Sequence, residues 1–157
     1  MNYTIIENAL TKQELEVVDT VILGDQYPWY YYATDIDNGP GFPFMCHTIM
    51  RRSECGTAVA GIPNSGSYEL FRPIFDRLCP GRTMLRAALN LTFHNPAAHS
   101  TIHVDHLFPH HNLIIYLTQT EAGTLLFDEQ HYVTDRIPCK RNTAVHFSGV
   151  DHAQEHC

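Results

Sequence analysis

The sequence predicts an α+β domain, with a helix-bearing first half and a second half of short strands. Three observations carry this. A capped amphipathic helix follows a short strand near the start. From residue 83 onward, short apolar or alternating runs recur between turn residues. The 157 residues, 44% hydrophobic and 17% charged, suit a single domain (1–157) with a real core. Helices first and strands afterwards is the α+β pattern, with a sandwich or barrel in the second half.

Each element has a local reason. Tyr3 to Ile6 reads as a short strand. Thr11-Lys12-Gln13-Glu14 is a capping box, and Leu15, Val17, Val18, Val21 and Ile22 form the apolar stripe of the helix it opens. Gly24 is the stop. Residues 25 to 45, rich in aromatics, Gly and Pro, read as loop with room for one embedded strand. Phe44 to Met50 reads as a strand and residues 51 to 66 as a loop. Ser67 to Cys79 has a helical period in Tyr68, Leu70, Phe71, Ile74, Phe75 and Leu78, interrupted by Pro73 and closed by Pro80-Gly81. Residues 1–82 therefore form helical support and an aromatic loop region.

The β-rich part spans residues 83–157. Met84 to Phe93 alternates, with Leu85, Ala87, Leu89, Leu91 and Phe93 on one face and Arg86, Asn90 and Thr92 on the other, until Asn95-Pro96 breaks the run. Thr101 to Asp105, Leu113 to Thr118, Thr124 to Phe127 and Thr143 to Phe147 are the further strands.

Composition narrows the class. The net charge of −7 argues against a nucleic-acid backbone as main partner, which needs a concentrated positive surface. No apolar run reaches membrane-spanning length and the start lacks a signal-peptide pattern, so no membrane partner is expected. Five scattered cysteines without a C-x-x-C pair argue against a disulfide framework or a zinc finger and suit a reducing, cytoplasmic setting. Six of the eleven histidines crowd between His94 and His111.

His103-Val104-Asp105 is the most informative triplet. Extended chain puts residues i and i+2 on one side, so His103 and Asp105 point together while His106 points away. Together with His152 they supply two imidazoles and a carboxylate, the facial ligand set of non-haem Fe(II) oxygenases. His146, within the last strand, is the alternative distal ligand. His99, His106, His110 and His111 read as rim or loop residues.

The order of motifs resembles the 2-oxoglutarate/Fe(II)-dependent dioxygenase superfamily, most nearly its prolyl-4-hydroxylase-like branch. H-x-D is followed by Tyr116-Leu117-Thr118, similar to a Tyr-Leu-Asn element, and by Ala122-Gly123-Thr124, similar to the Gly-Thr turn. Phe147-Ser148-Gly149-Val150-Asp151-His152 resembles the turn that delivers the distal ligand, an offset that favours His152 over His146. The resemblance covers residues 83 to 157 well and the opening strand and helix less specifically. It implies a double-stranded β-helix (a cupin-like jelly roll) with N-terminal supporting helices. Leu113, Ile115 and Leu117 would pack outward on helices, and Tyr116 would face the cavity.

It also implies a reaction. Fe(II) would be held by His103, Asp105 and His152. The cosubstrate 2-oxoglutarate would be decarboxylated to succinate while a C–H bond of a peptide, protein or small-molecule substrate is hydroxylated. Tyr116 would hold the far carboxylate, with Asn90 lining the same cavity. Relatives add a basic residue, often Arg, nine or ten positions after the distal histidine, whereas the sequence ends at Cys157, five residues past His152. The expectation is a C-terminally truncated oxygenase whose final strand is missing, with Arg86 as a substitute anchor if it is not. A neighbouring strand edge would then be left for a partner, including a second copy in a homodimer.

Tyr27-Pro28-Trp29-Tyr30-Tyr31-Tyr32 and the loop through Phe44 suit a substrate-facing rim, or simply a cap on the small sheet. The alternative to an oxygenase is a catalytically impaired, metal-binding jelly-roll module acting in interaction or sensing. The unmatched Arg and the many histidines favour that alternative.

Overall fold

The structure, a computed structural model, describes residues 3–34, 41–53, 58–95 and 97–156. Asn38-Gly39-Pro40, Cys55, Pro96 and Cys157, which the sequence reading drew on, lie outside them. The fold is mostly β with few helices. Residue contacts divide the chain into two compact units, one of Met1–Tyr27, Ala33–Pro43 and Phe93–Cys157, the other of Pro28–Tyr32 and Phe44–Thr92.

The first unit opens with β1 (Tyr3–Glu7) and α1 (Lys12–Val17). The capping box forms as the sequence predicts. Thr11 Oγ1 accepts from the Glu14 amide at 3.2 Å, and Glu14 Oε2 accepts from the Thr11 amide at 2.7 Å. Thr11→Ala removes one of the two bonds and is expected to cost about 1 kcal/mol, read as a lower urea midpoint at unchanged slope. After Val17 the helix widens into one π-helical turn, Val18–Ile22, which keeps Val18 and Ile22 fully buried. It ends where a side chain no longer fits: a Cβ on Gly24 would lie 2.7 Å from the Thr20 carbonyl oxygen.

The second unit is built around β3 (Phe44–Arg51). β2 (Tyr30–Tyr32) pairs with its start, β4 (Ile62–Pro63) with its end, and β5 (Ala87–Thr92) along its length, all antiparallel. The embedded strand in the aromatic segment is therefore β2, and its three tyrosines are exposed. Between β4 and β5 lies α2 (Tyr68–Leu78), which runs unbroken through Pro73. The expected interruption is absent because the burial of Phe71 and Ile74 outweighs a single lost backbone bond. Residues 84–93 are shorter as a strand than expected. Leu89 is buried but Leu91 and Phe93 are 40% and 47% exposed, so the alternating face is not a continuous core face. β5 pairs with β3 in this unit, not with a strand from the later residues.

The remaining strands belong to the first unit: β6 (His111–Tyr116), β7 (Gly123–Phe127), β8 (Val133–Pro138), β9 (Thr143–Ser148) and β10 (His152–Gln154). They form two three-stranded antiparallel sheets, β1-β9-β6 and β10-β7-β8. Tyr116 from β6, Leu126 from β7, Ile137 from β8 and Val145 and Phe147 from β9 meet in one buried cluster, so both sheets contribute to it. β7 is buried at all five positions, as a central strand covered on both faces requires. Leu126 enters the main cluster, while Leu125 and Phe127 pack with Ala153 and Ile102 on the other side. Among the described residues Cys46, Cys79 and Cys139 are buried free thiols, and burial pushes the Cys46 and Cys79 pKa values up. No helix of the described residues is long and apolar enough to cross a membrane.

Candidate metal centre

The segment carrying H-x-D is not the regular strand expected over Thr101 to Asp105. It is extended chain laid antiparallel beside β10, joined at isolated points. The His103 amide donates to the His152 carbonyl at 3.1 Å, and the His152 amide returns the bond at 2.9 Å. Farther along, the Ser100 amide donates to the Gln154 carbonyl at 2.8 Å, and the His156 amide to the Ala98 carbonyl at 3.0 Å. This register puts the two histidines directly opposite each other. Turns and side-chain bonds take the place of a full ladder, for example Ser100 Oγ accepting from the Gln154 amide at 2.9 Å.

Three ligand-type atoms converge there. One each from His103, Asp105 and His152 all lie within 4.8 Å of one another. His152 Nε2 is 3.6 Å from Asp105 Oδ2, and the two imidazole centroids are 4.5 Å apart. His103 Nδ1 lies 2.9 Å from the Thr101 carbonyl oxygen, and His152 Nδ1 2.9 Å from that of Val150. A carbonyl only accepts, so Nδ1 carries the proton in both rings. Each Nε2 therefore keeps a free lone pair, the tautomer a metal ligand needs.

Burial sharpens this. His152 is 7% exposed and packs edge-on against Phe147 at 5.4 Å. Its pKa is lowered chiefly by burial. The bond to the Val150 carbonyl opposes the shift, His103 adds to it, the Asp105 carboxylate opposes it, and His110 adds to it again. The net effect keeps the ring neutral and ready to donate its lone pair. His103 is exposed, so the donor set is buried on one side and open on the other. Two imidazoles and a carboxylate suit a divalent first-row cation such as Fe(II) and leave coordination positions free.

The other predicted residues fall elsewhere. His146 stacks on His111 at 4.9 Å and 12°, and the ring cluster of His103 and His152 does not include it. Tyr116 is buried in the main hydrophobic cluster, and its hydroxyl donates to Thr124 Oγ1 at 2.8 Å. Burial pushes its pKa up to about 12, against the opposing bond to Thr124. Asn90 sits on β5 in the second unit, exposed, in register with Cys46. His99 bridges to Glu155 and lies edge-on to Phe127, while His106 and His110 lie 4.9 Å apart beside Phe108. Sequence reasoning passed over Thr124 as a functional group. Its position in the Gly-Thr turn was the available signal.

No protein-family model matches the chain, and no curated protein sequence matches it. Its fold is similar to a crystal structure of an oxidoreductase of the 2OG-Fe(II) oxygenase family from Burkholderia pseudomallei. The TM-score is 0.70 over 98% of this chain and 78% of that one, at 13% sequence identity. At that identity the likeness is one of fold.

Proposed function

We propose that the chain is an Fe(II)- and 2-oxoglutarate-dependent oxygenase that hydroxylates a C–H bond of a peptide, protein or small molecule. The observation that carries this is the convergence of His103, Asp105 and His152 with both Nε2 lone pairs free. The fold of an oxygenase-family protein over nearly the whole chain supports it. When bound, Fe(II) supplies activation of dioxygen coupled to decarboxylation of the cosubstrate.

The chain's own groups have separable parts in this reading. His152 is the buried ligand, and its backbone pairing to His103 keeps the two rings in step. Asp105 supplies the anionic ligand and offsets part of the cation's charge. Tyr116 and Thr124 form the polar pair toward the cosubstrate. The phenol gives its one proton to Thr124, so the Thr124 hydroxyl is the donor left for a carboxylate oxygen.

The test is direct. Fe(II) and 2-oxoglutarate added without oxygen are expected to give a weak visible charge-transfer band, and air is expected to release succinate. A chain that gives neither the band nor succinate, with candidate substrates present, is not such an oxygenase.

A further inference from the structure

His110 carries the feature that places His103 and His152, although it lies outside their ligand set. Its Nδ1 is 2.8 Å from the Phe108 carbonyl oxygen, two residues back. His103 and His152 use the carbonyls two residues back in the same way, those of Thr101 and Val150. The Nδ1 proton is thereby fixed and Nε2 is left as a bare acceptor. That nitrogen is buried and has no hydrogen-bond partner among the described residues.

The ring's place is also fixed. A Cβ on Gly149 would overlap the His110 ring, so the imidazole lies directly on the turn that leads into His152. The Gly149 amide donates to the His110 carbonyl at 2.9 Å, clamping the two segments together. The His110 ring is near enough to that of His152 for the two to interact electrostatically. Two positions on, Asn112 has a buried Nδ2 that also lacks a partner among the described residues. A buried acceptor and a buried donor, both without a partner among the described residues, thus lie two positions apart where this segment meets the end of β9. A water molecule can satisfy either group, donating to Nε2 or accepting from Nδ2.

We infer that His110 is a positioning residue of the metal centre, whose Nε2 accepts a hydrogen bond from a water ligand of the bound cation, with Asn112 as the complementary donor. The inference rests on the metal reading proposed above. It assigns His110 a role through the water, not as a ligand.

The test uses the whole chain and Mn(II) alone, followed by calorimetry and by water-proton relaxation, which reports metal-bound water. The unaltered chain is expected to bind one equivalent, and His103→Ala to bind none. His110→Asn keeps an N–H toward Phe108 but removes the acceptor. It is expected to weaken Mn(II) binding about 10-fold, at the low end for outer-shell partners of metal ligands, and to reduce the relaxation enhancement. His110→Gln can place an amide oxygen near the lost Nε2 and is expected to recover affinity to within about 3-fold. If His110→Asn matches the unaltered chain in affinity and relaxation, the inference is wrong while the metal reading stands. The same holds if the variants lower only the melting temperature of the metal-free chain, since His110 would then serve packing alone. If the unaltered chain binds no Mn(II), the metal reading fails and this inference fails with it.

Discussion

His152→Ala is expected to abolish stoichiometric Fe(II) binding and to slow succinate formation from 2-oxoglutarate by more than about 100-fold, beyond what loss of an outer-shell partner costs. Three donors hold the cation, and His152 is the buried one, already neutral and with its tautomer set by the Val150 carbonyl. Removing it leaves His103 and Asp105, a two-point grip with its open side toward solvent. The control is His146→Ala, which is expected to leave both quantities within about 3-fold, because His146 stacks on His111 and is not one of the three converging donors. Anaerobic Fe(II) titration and chromatographic succinate assay read both. His152→Gln, checked by circular dichroism, separates loss of the ligand from loss of fold. Retained binding in His152→Ala together with lost binding in His146→Ala would move the distal ligand to His146.

Leu126→Ala is expected to cost about 3 kcal/mol of stability, within the 2–5 kcal/mol range for deleting a fully buried leucine. Leu126 is 0% exposed, on a central strand between β8 and β10, in a cluster with Tyr116, Ile137, Val145 and Phe147. Neighbours from both sheets cannot all collapse into the space. For a chain of this size the loss corresponds to a fall in melting temperature of roughly 6–12 °C. Leu126 also stands opposite His152 in the β7–β10 register, so metal affinity is expected to fall along with stability. Denaturant titration with and without Mn(II) checks both effects. A change below 1 kcal/mol would mean that the cluster is not the core of this unit.

Much of the fold is legible because it is local. The capping box at Thr11 and the turn chemistry around β6, β7 and β9 depend on neighbours within a few residues. Other parts are not. β8 reads as Val-Thr-Asp-Arg-Ile-Pro, too polar to suggest a strand, and it forms because β7 offers a partner. β10 has three residues, and its pairing with β7 supplies what propensity cannot. Pro73 suggests a break that packing overrides. The same division holds at the site. The two-residue spacing of His103 and Asp105 is visible in the chain, and so is the turn that precedes His152. The histidines between them look alike in sequence. Only the tertiary structure separates His110, whose buried Nε2 has no partner among the described residues, from His99, although the Nδ1 of each lies on a backbone carbonyl.

By itself the sequence determined which donors are available and in what order: an imidazole and a carboxylate two apart, then a distant imidazole after a glycine turn. Tertiary structure alone decided that they meet. The reciprocal backbone bonds between His103 and His152 bring distant parts of the chain into one antiparallel register, and a register is a property of two segments, not of either one. Burial then makes His152 neutral, an energetic consequence of surroundings that no local spacing encodes.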